Sequence, residues 1–171
     1  RRVVDYPVAD VLHLMGRACV PAGDAAARVV IMCAAPRKEY LRKFLYEALP
    51  VESGLPGGLA DHLNAEVVSG TVTNLREAVS WLSYTYLFIR MLRNPMAYGV
   101  GWEELHADTM LERKRLDLIR TAAKALDACH MMRFDNASGN LAVTDLGRVA
   151  SHYYITHTTI ETFNAVLDKP T

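Results

Sequence analysis

One run constrains this chain more than any other. Arg28-Val-Val-Ile-Met-Cys33 is continuously apolar after its first residue, the pattern of a β-strand buried on both faces. A strand holds only through ladder hydrogen bonds to a neighbour, because its N–H and C=O groups must find partners. The flanking sequence reads as helix and offers no second strand of that kind. Ahead of it, Val8, Val11, Leu12 and Met15 share one helical face before Pro21 and Gly23 break the pattern. Behind it, Tyr40, Phe44 and Leu45 line the inner face of a helix over 37–47, with Arg37, Lys38, Arg42 and Lys43 outward. The front of the chain therefore predicts a partial α/β unit, the end of a larger sheet, and the whole reads as a piece of something longer.

Pro50, Gly54, Pro56, Gly57 and Gly58 make the most loop-like stretch, and the boundary between units is expected there. Beyond it a short helix is predicted over 59–68. Asn74 and Glu77 have capping-box spacing and open a long helix to about Arg93, with Leu75, Val79, Leu82, Tyr86 and Ile89 inward. Asn94-Pro95 stops it. Thr109 and Glu112 repeat the cap ahead of a helix that turns Leu116, Ile119, Ala123 and Leu126 to one side. Residues 131–144 read as two short strands around the turn Asn136-Ala-Ser-Gly139. Three helices followed by a hairpin is the order of a winged-helix domain. Two short helices close the chain, one opened by Asp145 and one by Thr158 with Glu161. The expected class is mainly α with short β: a partial α/β tail, a winged helix and the start of a helical domain.

Composition narrows the function. Half of the 171 residues are hydrophobic (51%), enough for a sizeable core. With 19 basic and 19 acidic residues the formal charge is zero, which argues against a free-standing binder that relies on a strongly basic surface. Cys19, Cys33 and Cys129 are an odd, widely spaced set without a CxxC pair, better suited to a reducing compartment than to a disulfide framework. No run nears the roughly 20 apolar residues that span a bilayer, so a soluble, intracellular chain is expected.

His13-Leu-Met-Gly-Arg-Ala-Cys-Val-Pro21 resembles motif six of the superfamily 2 DExH helicases, Gln-x-x-Gly-Arg-Ala-Gly-Arg-Pro. Asn64-Ala-Glu66, Trp81-Leu-Ser-Tyr-Thr-Tyr86, Arg90-Met-Leu-Arg-Asn-Pro95, Tyr98-Gly99 and Leu146-Gly-Arg-Val-Ala-Ser-His-Tyr-Tyr-Ile155 extend the likeness over essentially the whole chain. Together they resemble the large two-cassette RNA helicases of spliceosomal and signal-cointegrator type. The resemblance implies three parts: the C-terminal end of a second RecA-like lobe over 1–53, a winged helix over 54–143, and the start of a helical ratchet over 144–171. It implies ATP and Mg²⁺ for the parent protein, none for this piece alone, and a winged helix acting as hinge between motor lobe and ratchet. Expected partners are RNA or another nucleic acid, the remaining helicase domains and other subunits of a large ribonucleoprotein or coactivator complex, with no membrane. The expected compartment is the nucleus, with the cytosol as a further one.

In that family the motif-six arginines neutralise charge developing on the γ-phosphate. Arg17 matches the first and is the nucleotide-binding candidate, but Val20 stands where the second is expected, and valine offers a phosphate no charge. Cys19 and His13 also depart from the motif. No phosphate-binding lysine loop and no Asp-Glu-x-His occurs in the sequence, so no complete catalytic set is present. Val20 points toward a silent cassette, whereas residues 72–163 look more like the active first cassette. Two other roles therefore stand beside the enzyme-part reading: a scaffold that docks a protein partner, and an autonomous winged-helix nucleic-acid binder.

Plainer roles are open for each residue. Without the family, Arg17 is a solvated arginine at a helix end. His152 and His157 lack a third ligand for zinc, and no metal site is expected. Trp81, Tyr84, Tyr86 and Phe88 read as core packing, and Tyr153 and Tyr154 as filling a domain junction. Arg113, Lys114 and Arg115 read as a solvated face, Cys33 and Cys129 as small buried hydrophobes. Arg133, on the wing, is a weak candidate for contact with a nucleic-acid backbone.

Overall fold

A computed structural model describes residues 5–18, 26–46 and 51–167, and the chain divides into two compact units, Arg1–Val51 and Glu52–Thr171. The first holds α1 (Val8–Gly16) and α2 (Ala35–Tyr46), packed on each other. Val8 is buried and Val11, Leu12 and Met15 are half-buried, as the spacing predicts. Arg37 pairs with Asp5 and lies 5.3 Å over the Tyr40 ring, which meets Phe44 edge-on at 4.7 Å. The expected strand is absent: residues 26–34 carry no ladder, and Val30 and Met32 are 70% and 94% exposed. Among the described residues no strand lies beside Val29–Cys33, and an apolar run without a ladder partner has no strand geometry to adopt. Cys33 is accordingly exposed, not buried.

The second unit starts with a 3-10 turn (Leu55–Gly58) that runs into α3 (Leu59–Ser69). Gly70, left-handed at φ 79°, ends α3, the conformation glycine adopts without strain. Then come α4 (Leu75–Ser83), α5 (Tyr86–Arg93), a second 3-10 turn (Pro95–Tyr98), α6 (Trp102–Ala107) and α7 (Glu112–Ala128). Strands β1 (Met132–Phe134) and β2 (Leu141–Val143) pair antiparallel, with Met132 opposite Val143, and α8 (Asp145–His152) and α9 (His157–Leu167) follow. Asn74 bridges to Asn140, Leu75 N–H donates to Gly139 O at 2.8 Å, and Leu141 N–H to Thr73 O at 2.8 Å. The hairpin thus gains a third, one-residue strand between α3 and α4. Helix, strand, helix, helix, hairpin is the winged-helix order, with α5 and α6 inserted before α7.

The core lies where α3 packs on α7, α8 and β2, and α7 on α4 and β1. Leu63, Leu82, Leu87, Met91, Ile119 and Leu126 are fully buried there. Each contributes roughly 1.5–3 kcal/mol relative to exposure, which explains how a chain of zero net charge and short elements holds together.

The predicted long helix from Asn74 to Arg93 is two. Its start is as expected: Glu77 N–H donates to Asn74 Oδ1 at 3.0 Å, while the Glu77 carboxylate accepts from Thr73 N–H and Thr73 Oγ1, both at 2.8 Å. The break falls at Tyr84–Thr85, where Ser83 Oγ donates to Ser80 O and Thr85 Oγ1 donates to Leu82 O at 2.7 Å. Those hydroxyls take carbonyls that the next turn would use, and Thr85 is extended at ψ 156°. The break resets the helical phase. Leu87, Phe88 and Met91 face the core in place of Tyr86 and Ile89, which are about half exposed, and Tyr84 is exposed as well.

Two further caps differ from expectation. Thr109 does not open α7; Asp108 Oδ2 accepts from Arg113 N–H at 3.0 Å, after Leu111, buried and left-handed at φ 50°. Helix α9 starts at His157, whose N–H donates to Asp61 Oδ1 at 2.7 Å, one residue before the expected Thr158. Tyr153 and Tyr154 are 74% and 93% exposed in the turn before α9, so they fill no junction among the described residues.

Candidate functional site

The stretch Arg90-Met-Leu-Arg-Asn-Pro95 plus Tyr98 places three polar side chains four positions apart, one per helical turn. In the structure all three converge on Glu52, the first residue of the second unit. Arg90 grips its carboxylate with two parallel bonds, Nη2 to Oε1 at 2.7 Å and Nε to Oε2 at 3.1 Å. Asn94 Nδ2 donates to Oε1 at 2.8 Å and the Tyr98 hydroxyl donates to Oε2 at 2.7 Å. That hydroxyl also accepts from Ser53 N–H at 2.7 Å, so the backbone itself is held. These donors, Arg90 foremost, bring the Glu52 carboxyl down to about 2. Desolvation, with Glu52 beside it, pushes the Tyr98 phenol up. Sequence reasoning missed Glu52, which lies in loop-like sequence 38 to 46 positions from its partners.

Asn64-Ala-Glu66 and Leu146-Gly-Arg meet in a second cluster. Asn64, buried on α3, donates from Nδ2 to Gly147 O at 2.9 Å. Gly147 N–H is capped by Thr144 Oγ1 at 3.0 Å, and Thr144 in turn donates to His130 O at 2.8 Å. A methyl at Gly147 would fall 1.8 Å from Met131 O, so only glycine lets α8 approach this closely. The Asp61–His157 pair, Oδ1 to Nδ1 at 3.0 Å, ties α3 to α9.

Arg115 is a correction. It is no solvated residue but is 5% exposed, with Nη1 donating to Val79 O at 2.9 Å and Nε to Met110 O at 3.1 Å. Its guanidinium lies 4.9 Å over the Phe88 ring. Trp81 and Phe88 do pack as expected, and Cys129 is buried, its thiol pushed up by desolvation. His152 Nδ1 lies 3.0 Å from Arg148 O, and among the described residues no three His, Cys, Asp or Glu side chains gather for a metal.

Arg17 sits exposed at the C-terminal end of α1, its N–H bonded to Leu14 O at 3.3 Å. A cavity of about 390 Å³ in the first unit is lined by Val11, Met15, Val29, Ile31 and Arg37 among others, but not by Arg17. Cys19 and Val20 lie outside the described residues. Arg133 is exposed on β1, where its side chain has no ion-pair partner among the described residues. The structure thus keeps Arg17 and Arg133 in separate units and brings neither into the Glu52 or Asn64 cluster.

Residues 52–128 match the family described as a winged helix-turn-helix domain, and residues 143–171 match the Sec63 Brl domain. Among curated proteins the chain is 48% identical over 165 residues to a DExH-box ATP-dependent RNA helicase of Arabidopsis thaliana. It is 46% identical over 165 residues to activating signal cointegrator 1 complex subunit 3 of Dictyostelium discoideum. Against the U5 small nuclear ribonucleoprotein 200 kDa helicase of Homo sapiens it is 44% identical over 162 residues. These alignments take in 95–96% of this chain and 8% of each relative, so the chain spans a small part of the relatives' length.

Proposed function

Since the chain belongs, as a segment, to the family of large DExH-box RNA helicases, we propose that it is the winged-helix hinge of an ATP-driven RNA helicase. In this reading residues 1–53 end the second motor lobe, 54–143 are the winged helix and 144–171 begin the ratchet. The observation that carries it is the Glu52 clamp. A hinge has to receive displacement from a neighbouring domain without unravelling. Glu52, two residues before the expected start of the winged helix at 54 and the first residue of the second compact unit, is fastened by Arg90, Asn94 and Tyr98 ahead of α3. Nucleic acid is the proposed partner, together with the other helicase domains and the subunits of a spliceosomal or cointegrator complex. The nucleus is the proposed place of action, with the cytosol as a further one.

ATP and Mg²⁺ belong to the longer protein. This sequence has no lysine loop and no Asp-Glu-x-His, the parts that hold phosphates and Mg²⁺ in such helicases, which supports placing ATP and Mg²⁺ in the longer protein. Arg17 would contribute a motif-six charge, and Arg133 would touch a phosphate backbone from the wing.

The test is Glu52→Gln in the longer helicase, with RNA-stimulated ATP hydrolysis and duplex unwinding measured side by side. Unwinding should fall several-fold while hydrolysis holds. A folded variant that leaves both unmoved removes the hinge and favours the scaffold reading, for which Val20 in place of an arginine is the supporting residue. The isolated chain should release no phosphate from ATP above buffer.

A further inference from the structure

The two family matches break between residues 128 and 143, and a border between domains is by default a place where they move against each other. A joint needs a few residues free to change φ and ψ. Between β2 and α8 that leaves Thr144 alone. Its hydroxyl is used on both sides: it donates to His130 O at 2.8 Å and accepts from Gly147 N–H at 3.0 Å. Across the border Asn64 reaches Gly147 O, and Ala150 of α8 is fully buried in the core that α3 and α7 build. Glu52–Thr171 accordingly form one compact unit.

The turn 153–156 between α8 and α9 is the other candidate for a joint, and it is closed from both ends. Ile155 N–H donates to Ala150 O at 2.9 Å, which folds the turn back on α8. Asp61 of α3 holds the first residue of α9. Its Oδ1 accepts from His157 N–H at 2.7 Å and lies 3.0 Å from His157 Nδ1, which carries the proton because a carboxylate only accepts. One oxygen thus fixes both the backbone and the ring at the head of the helix. Further along the same face Ile160 is 4% exposed, and Asn164 Nδ2 donates to Cys129 O at 2.9 Å, just past the end of α7. Helix α9 is therefore fastened at three successive points, to α3, to the core and to the end of α7.

We infer that residues 59–167 move as one rigid arm with no joint at the family border, and that Asp61 is the positioning residue that sets the direction in which α9 leaves it. The use of the arm rests on the hinge reading. Displacement delivered at Glu52 is carried to the far end of α9 and is not absorbed at 143–145, so bending on the ratchet side belongs past α9.

The test begins with residual dipolar couplings of the 171-residue chain. A single alignment should fit 59–143 and 145–167 together, and a need for two alignments overturns the arm. Asp61→Ala should loosen α9: its couplings leave the shared alignment, and amide exchange at Ile160 and Asn164 becomes roughly tenfold faster. Helix α4 and the hairpin should keep the parent's spectrum, which shows that the unit is still folded. Asp61→Asn should behave as the parent, because an amide oxygen can accept both bonds. An Asp61→Ala chain whose α9 stays aligned and protected overturns the positioning role. In the longer helicase Asp61→Ala should lower duplex unwinding several-fold with RNA-stimulated ATP hydrolysis unchanged, and Asp61→Asn should restore it. A loosened α9 that leaves unwinding unmoved overturns the arm's part in the motor. The couplings do not depend on the outcome at Glu52, so the rigid arm and the hinge stand or fall separately.

Discussion

Asn64 and Gly147 meet across 83 positions of sequence, the amide of one donating to the carbonyl of the other at 2.9 Å. The contact exists because position 147 has no side chain: any Cβ would sit 1.8 Å from Met131 O, a backbone atom that cannot swing aside. Gly147→Ala should therefore destabilise the second unit by about 3 kcal/mol or more, the upper end of the roughly 1–3 kcal/mol typical of overpacking, because the atom it meets is backbone. Asn64→Ala should cost about 1–3 kcal/mol through a lost buried bond. Urea melts followed by circular dichroism check both, and a Gly147→Ala chain as stable as the parent would contradict the geometry.

Glu52 gives a prediction in pH. Its carboxyl is depressed from 4.5 to about 2 in the folded chain, chiefly by Arg90. A depressed folded pKa contributes stability that is fully present above 4.5 and is lost as the pH falls from 4.5 through about 2. The side-chain carboxyl should titrate near 2 by NMR, and Arg90→Gln should return it well toward 4.5. Glu52→Gln should flatten that part of the acid-stability profile.

Arg115→Ala should destabilise by about 1–3 kcal/mol, since it removes the donors that Val79 O and Met110 O receive from the guanidinium and uncovers Phe88. Arg115→Lys should recover only part, because one ammonium on a flexible stem cannot copy a fork that serves two carbonyls and stacks on a ring. Equal stability of the lysine and arginine chains in a thermal melt would refute this.

His130 is exposed and left-handed at φ 61°, a conformation that costs a side-chain-bearing residue roughly 1 kcal/mol. His130→Gly should raise the melting temperature by a few degrees, since the carbonyl that Thr144 uses is kept. A lowered melting temperature would mean that the imidazole contributes more than the strain costs.

Much of this was legible in local chemistry. Asn74 and Glu77 announced a helix start, Asn136-Ala-Ser-Gly139 announced a turn, and both stand in the structure because caps and turns are settled by residues a few positions apart. What escaped was decided at longer range or by competition. The Ser83 and Thr85 hydroxyls outbid the helix for its carbonyls, so the phase that put Tyr86 and Ile89 inward no longer held. Arg115 looked solvated beside Arg113 and Lys114, and only the approach of Val79 and Phe88 makes it a buried anchor. Of the sites, the family motifs located both ends of the Asn64–Gly147 contact and three of the four members of the Glu52 clamp. Glu52 itself carried one usable signal, the four-residue spacing of Arg90, Asn94 and Tyr98, which asks for a shared acceptor.

The position of the Glu52 clamp has a mechanical corollary. A pull or twist applied to the chain at residue 51 is handed at once to α5 and to the Pro95–Tyr98 turn, ahead of α3 and the hairpin. Inserted α5 and the turn behind it, which an ordinary winged helix lacks, are thus the first members of this unit to carry load.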